Sequence, residues 1–102
     1  MIIVTITNKQ NKIDGLEIKG HANSAEYGKD LVCAGVSAIG VGGLNALASL
    51  KDKNIKLQMS DGHILIRDAS LNEEAQIILN TIIIQLETVK EIQKDYIKII
   101  EQ

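Results

Sequence analysis

Residues 55–66 read Ile-Lys-Leu-Gln-Met-Ser-Asp-Gly-His-Ile-Leu-Ile, and the fold class turns on how they are read. Ile55, Leu57 and Met59 alternate with Lys56, Gln58 and Ser60, and the alternation resumes at Ile64 and Ile66. Between the two runs stands Asp61-Gly62, a residue pair suited to the left-handed conformations of a two-residue hairpin turn. Pairing across that turn sets Met59 opposite Ile64 and Leu57 opposite Ile66. One face of the hairpin is then apolar throughout and requires cover.

The cover lies on either side in sequence. Downstream, Ser70-Leu71-Asn72-Glu73 has the form of a capping box. It predicts a helix with an apolar stripe at Leu71, Ala75, Ile78, Ile82, Leu86 or Gln85, Val89 and Ile92. Ile77 and Ile84 lie off that stripe and predict a second buried face. Residues 96–100 suit either an extension of this helix or a short edge strand. Upstream, residues 31–51 predict a helix with Asp30 as its N-cap and apolar positions at Val32, Val36, Ile39, Gly43, Leu47 and Leu50. Gly40, Gly42 and Gly43 weaken it by about 1 kcal/mol each relative to alanine. The glycines lack the Lys-Ser/Thr of a phosphate loop and read as a site of close packing.

Residues 2–8 and 12–19 predict a first hairpin, with Ile2, Val4 and Ile6 on one face, a turn at 8–11, Leu16 and Ile18 inward, and Gly15 at a bulge. The order is ββαββα, an α+β fold with two helices on one face of a mainly antiparallel sheet. With no proline, linker or low-complexity tract, residues 1–102 read as a single domain.

Composition excludes several functions. Eleven basic against 13 acidic residues give a net charge of −2, contrary to the basic surface of a nucleic-acid binder. With no Phe or Trp, and only Tyr27 and Tyr96, stacking platforms are lacking too. One cysteine makes no internal disulfide. The N-terminus has no signal-peptide pattern, and no run is expected to reach the ~18 apolar residues of a membrane span. A soluble, cytoplasmic protein is expected.

Cys33 and His21 carry the candidate chemistry. If Asp30 caps the helix, Cys33 is its third residue, where the helix dipole and unsatisfied N–H groups favour the thiolate. The amides near Cys33 and Ala34 could then hold an oxyanion. His21 leaves the second strand toward the loop that enters this helix, placing an imidazole where it can activate the sulfur. The competing reading is an inert core cysteine. A metal site of His21, Cys33 and His63 lacks paired ligand spacing, and no cofactor is expected. His63 reads as an exposed hairpin residue, and Lys90, Lys94 and Lys98 as a solvated helix face.

Residues 20–37, Gly-His-Ala-Asn-Ser-Ala-Glu-Tyr-Gly-Lys-Asp-Leu-Val-Cys-Ala-Gly-Val-Ser, resemble the signature of the ribosomal-processing cysteine protease (Prp) family. Gly-His-Ala is followed there by Gly-x-Asp-(Ile/Leu)-Val-Cys-Ala and a nearby Ser. Chain length and element order are similar as well, although Gly40–Gly43 is richer in glycine than the family pattern. The resemblance implies a dimeric endopeptidase that removes the N-terminal extension of the large-subunit ribosomal protein number twenty-seven, cutting after aromatic residues. It implies Cys33 as nucleophile and His21 as base, with Asp30 supporting them as helix cap or imidazole orienter. Residues 22–29 correspond to a flap over the substrate, with Ala22, Tyr27, Gly28 and Ala34 as substrate-binding positions. Tyr27 either contacts the peptide or faces solvent. Ser37, one turn after Cys33, either back-bonds to its helix or lines the substrate pocket. The reading from another class is a non-catalytic dimeric module that binds a protein surface in ribosome assembly.

Overall fold

The computed structural model describes residues 1–20 and 27–102, with the side chains of residues 27–30 outside the description. Its elements run β1 (Ile2–Lys9), β2 (Lys12–Lys19), α1 (Tyr27–Ser49), β3 (Lys56–Ser60), β4 (His63–Arg67), α2 (Glu73–Ile92) and β5 (Ile97–Glu101). One five-stranded sheet has the order β3-β4-β2-β1-β5. All its pairings are antiparallel except β1 with β5, which is parallel. The architecture is α+β, as the alternation and helical stripes predict, with a last strand added. Residues 97–101 are that strand, because Ile97 and Ile99 pair with Ile2 and Val4 and continue the apolar face of β1.

Handedness explains why both helices cover one face. β2–α1–β3 and β4–α2–β5 each join strands that run the same way, and such crossovers are right-handed almost without exception. β2 and β4 run in opposite directions, and the two crossovers also move in opposite directions across the sheet. Reversing both leaves the helix on the same side. The core forms there, from Val4, Ile6, Leu16, Ile18, Ile64 and Ile66 of the sheet, Val32, Val36, Leu44 and Leu47 of α1, and Ala75, Leu79, Ile82, Ile83 and Leu86 of α2.

The turns follow residue chemistry. Ser60 pairs with His63 and Met59 with Ile64 across Asp61-Gly62, which is the expected register. At the first hairpin Lys9 pairs with Lys12, and Gln10 and Asn11 both take positive φ (51° and 64°), the geometry of a type I′ turn. Thr7 faces Gly15 while Asn8 faces Ile13, so Asp14 is the extra residue of a bulge. Gly15 itself is required by close approach, since a Cβ there would collide with the Ile66 carbonyl of β4.

Lys94 lies beyond the end of α2 and Lys98 in β5, so the three lysines share no helix face, and Ile77 and Ile84 are exposed instead of forming a second buried face. Three further expectations require correction. First, α1 is already helical at Tyr27, so Asp30 lies inside the helix and is not its N-cap; the small, glycine-containing segment before it masks the start of the helical pattern. Second, the cap of α2 is Asn72, whose side chain accepts from the Ala75 N–H at 2.9 Å. Ser70 precedes the cap, Leu71 is 94% exposed and Ile92 72% exposed, while Leu79 and Ile83 enter the core in their place. Third, Leu31–Ser49 is long and apolar enough, by length and composition alone, to cross a membrane. Here one side of it packs on the sheet, with Val32, Val36, Leu44 and Leu47 buried.

Two polar clips tie α2 to its surroundings. Gln76 donates to the Ile13 carbonyl at 2.7 Å and accepts from the Ile13 N–H at 2.7 Å, fastening the helix to the β2 bulge. Asp52 accepts from the Asn72 amide and the Asn54 N–H, both at 2.9 Å. Those bonds, Asn72 foremost, hold its carboxyl below the ordinary value. The stabilisation it lends is therefore present above the usual carboxylate range and fades as pH falls through the lowered value.

The glycines of α1 divide by their surroundings. A Cβ on Gly43 would run into the Ile82 side chain of α2, whereas one on Gly42 meets nothing within 4 Å. Gly42→Ala should therefore stabilise the protein by about 0.5–1 kcal/mol through helix propensity. Gly43→Ala should destabilise it by about 1–3 kcal/mol through overpacking. Urea unfolding of the two variants checks both signs.

Candidate active site

The crossover that places α1 over the sheet starts at the C-terminal end of β2, so the first turns of α1 stand above Lys19, the beginning of β4 and the end of β3. A cleft of about 280 Å³ opens there. Cys33, Val36, Ser37 and Val41 line it from α1, Ile18 and Gly20 from β2 and its end, and Met59 through Ile64 from the second hairpin. Its floor is apolar, because Ile18 and Ile64 are the inward residues of adjacent strands.

Cys33 is half-buried and packs against the core at the cleft wall. It is the seventh residue of α1 as the helix is described, not the third. Its amide and that of Ala34 lie beyond the first turn and bond to carbonyls four residues earlier, so neither is available as an oxyanion donor. The dipole effect also falls off within the first turn. Ser37, one turn on, is exposed and shares the cleft with Cys33. Ala34 is exposed and points elsewhere, outside the lining.

His21 and Ala22 fall outside the described residues, as do the side chains of Tyr27 and Asp30. Of the segment read as a flap, Gly28 and its neighbours from Tyr27 onward form the first turn of α1. Gly20, the residue before His21, is fixed. Its N–H donates to the Gly62 carbonyl at 3.0 Å. Its φ of 109° is open to glycine, and a Cβ would also strike the Met1 carbonyl. The end of β2 is thereby tied to the 61–62 turn at the cleft.

His63 is not a partner for Cys33. It alternates with Ile64, which is buried on the helix side, so its ring points to the helix-free face. There its Nε2 meets Glu17 Oε2 at 2.6 Å in a cross-strand pair, both groups about one-third exposed. Sequence reasoning missed Gly20, Val41, Met59 and the 60–62 turn as site residues. The signal was available in part, since the second hairpin turn must lie at the same sheet end as the end of β2.

A half-buried cysteine at the wall of a cleft on an α+β scaffold meets the first requirement of a thiol hydrolase, and the known relatives of the chain supply the class. The model of the family described as cysteine protease Prp matches residues 1–98. The ribosomal processing cysteine protease Prp of Staphylococcus aureus is 39% identical over 103 residues, covering 97% of each chain. Two crystal structures of the S. aureus protease superpose over 100% of each chain. One holds a covalently linked product peptide (TM-score 0.86, 38% identity) and the other a substrate peptide (TM-score 0.88, 37% identity). This chain belongs to the Prp family and is a cysteine protease.

The placement of the two described candidates predicts distinct chemistry. Iodoacetamide should label Cys33 in the native protein without denaturant, and His63→Gln should leave the labelling rate within about twofold, because its ring lies across the sheet. Mass spectrometry of timed aliquots reads both.

Proposed function

We propose that the protein removes the N-terminal extension of the large-subunit ribosomal protein number twenty-seven, with Cys33 as nucleophile and His21 as general base and acid. The observation that carries this reading is the shared cleft of Cys33 and Gly20, because the residue that follows Gly20 is the motif histidine. Relatives that process a ribosomal protein and are seen with bound peptides supply the substrate class.

The chemistry proceeds in two halves. His21 takes the proton from Cys33 Sγ, and the thiolate adds to the scissile carbonyl carbon. The tetrahedral oxyanion collapses, the C–N bond breaks, and the imidazolium protonates the leaving amine. A water then gives a proton to His21 and adds to the thioester, and the C–S bond breaks. The new C-terminal carboxylate departs and the thiol is restored. Asp30, being inside α1 instead of capping it, serves in this scheme to orient the imidazole. Ser37 lines the cleft beside the acyl group, and Ala22, Tyr27 and Gly28 contact the peptide. A nucleophilic thiol with no second cysteine suits a reducing compartment, so the proposed location is the cytoplasm.

A twofold dimer completes the reading. Ile77 and Ile84 are 70% and 55% exposed on the outer side of α2, seven residues apart on one helical face. An isologous contact would bury them against their copies.

Two experiments test these statements. A peptide spanning the extension should be cleaved by the protein, and Cys33→Ala or His21→Ala should lower kcat by about a thousandfold or more, read by mass spectrometry of the products. Light scattering at micromolar concentration should give the mass of a dimer, and Ile84→Glu should shift it to monomer; a wild-type monomer overturns the dimer.

A further inference from the structure

We infer that β3 receives the substrate peptide as an added strand, with the main chain of Met59 as its anchor. The inference deepens the proteolysis proposed above and rests on that reading. β3 is an edge strand, paired only with β4 among the described residues. In a two-residue hairpin the pair that closes the turn exchanges both hydrogen bonds, and bonded and non-bonded pairs then alternate. Ser60, Gln58 and Lys56 therefore turn their N–H and C=O groups toward β4. Met59 and Leu57 turn theirs outward, along the open edge.

The same two residues have their side chains on the helix side of the sheet, opposite Ile64 and Ile66. Met59 is 60% exposed and Val41, across the cleft on α1, is 36% exposed. Among the described residues nothing covers this pair of apolar side chains, and both line the cleft that holds Cys33. A peptide strand bonded to Met59 would lay alternate side chains into the cleft between Met59 and Val41 while its backbone runs past the sulfur. The cleft volume, about 280 Å³, lies below the ~300–1,000 Å³ of pockets for drug-sized ligands. It suits one or two apolar side chains. The opposite edge, β5, does not reach the cleft, which leaves β3 as the edge that can present a peptide to Cys33.

Proline provides the test, because it deletes an N–H and is tolerated on edge strands. Met59→Pro removes the outward N–H without touching the ladder to β4, and Met59→Ala removes the side chain alone. Relative to Met59→Ala, Met59→Pro should raise KM for the extension peptide by about three- to tenfold with kcat largely kept, the loss of one backbone hydrogen bond. Unchanged KM between the two variants overturns strand addition. A second measurement does not depend on how the variants fold. Peptides N-methylated at successive positions, cleaved by the wild-type protein, should lose affinity at every second position. A flat or aperiodic response overturns the proposal. A wild-type protein that cleaves none of the unmodified peptide would instead overturn the proteolysis reading on which it rests.

Discussion

The height at which α1 rides over the β2–β4 pair governs the rest of the molecule. At Gly40 a Cβ would stand 2.5 Å from Ile64 Cδ1 and 3.2 Å from Ile18 Cδ1, so any larger residue must push the ends of those side chains aside for α1 to keep its height. Those two isoleucines are also the floor of the cleft. The contact that seats the helix therefore sets the distance between the cleft floor and the wall from which Cys33 projects. Gly43 repeats the device sideways, letting α1 close on Ile82 of α2. Two intrinsically poor helix residues thus let α1 pack closely on its neighbours as the shelf from which Cys33 projects.

The helix-free face of the sheet follows a different logic. Residues that alternate with the core, among them Thr5, Glu17, Lys19, His63, Arg67 and Lys98, face away from both helices. The His63–Glu17 pair belongs to this surface. An interaction of that kind on a partly exposed sheet contributes little to stability. The chemical asymmetry of the sheet is thereby complete, with the thiol on the covered face and the second histidine on the other.

The strands and the second hairpin were legible in the sequence because their period of two and their turn residues agree. The register at Met59–Ile64 follows from Asp61-Gly62 alone. Cys33, Ser37 and Gly20 at the end of β2 line one cleft, while His21 lies outside the described residues. The start of α1 was not legible, since a segment of small residues carries neither period and Asp30 imitates a cap. The cap of α2 was misplaced because Ser70 and Asn72 are both good cap residues, and only the fold shows that Asn72 accepts from the Ala75 N–H while Asp52 holds its amide. Residues 97–101 stayed ambiguous for a tertiary reason. A five-residue apolar run becomes a strand only where β1 offers it an edge. The Met59 side of the cleft was hidden because alternation assigned that residue to the covered face without showing that α1 stops short of covering it.

The pairing of Ile2 with Ile97 links the first strand to the last. On a ribosome the chain emerges from its N-terminus, so β1 waits with one edge open until residues 97–101 have left the exit tunnel. The sheet that carries the Cys33 cleft then closes only after α2 has emerged. A nascent fragment ending after α2 would hold Cys33 and the whole motif, yet lack the strand that finishes the scaffold beneath them. Proteolytic competence would thus be deferred, by topology alone, until the chain has been made through residue 101.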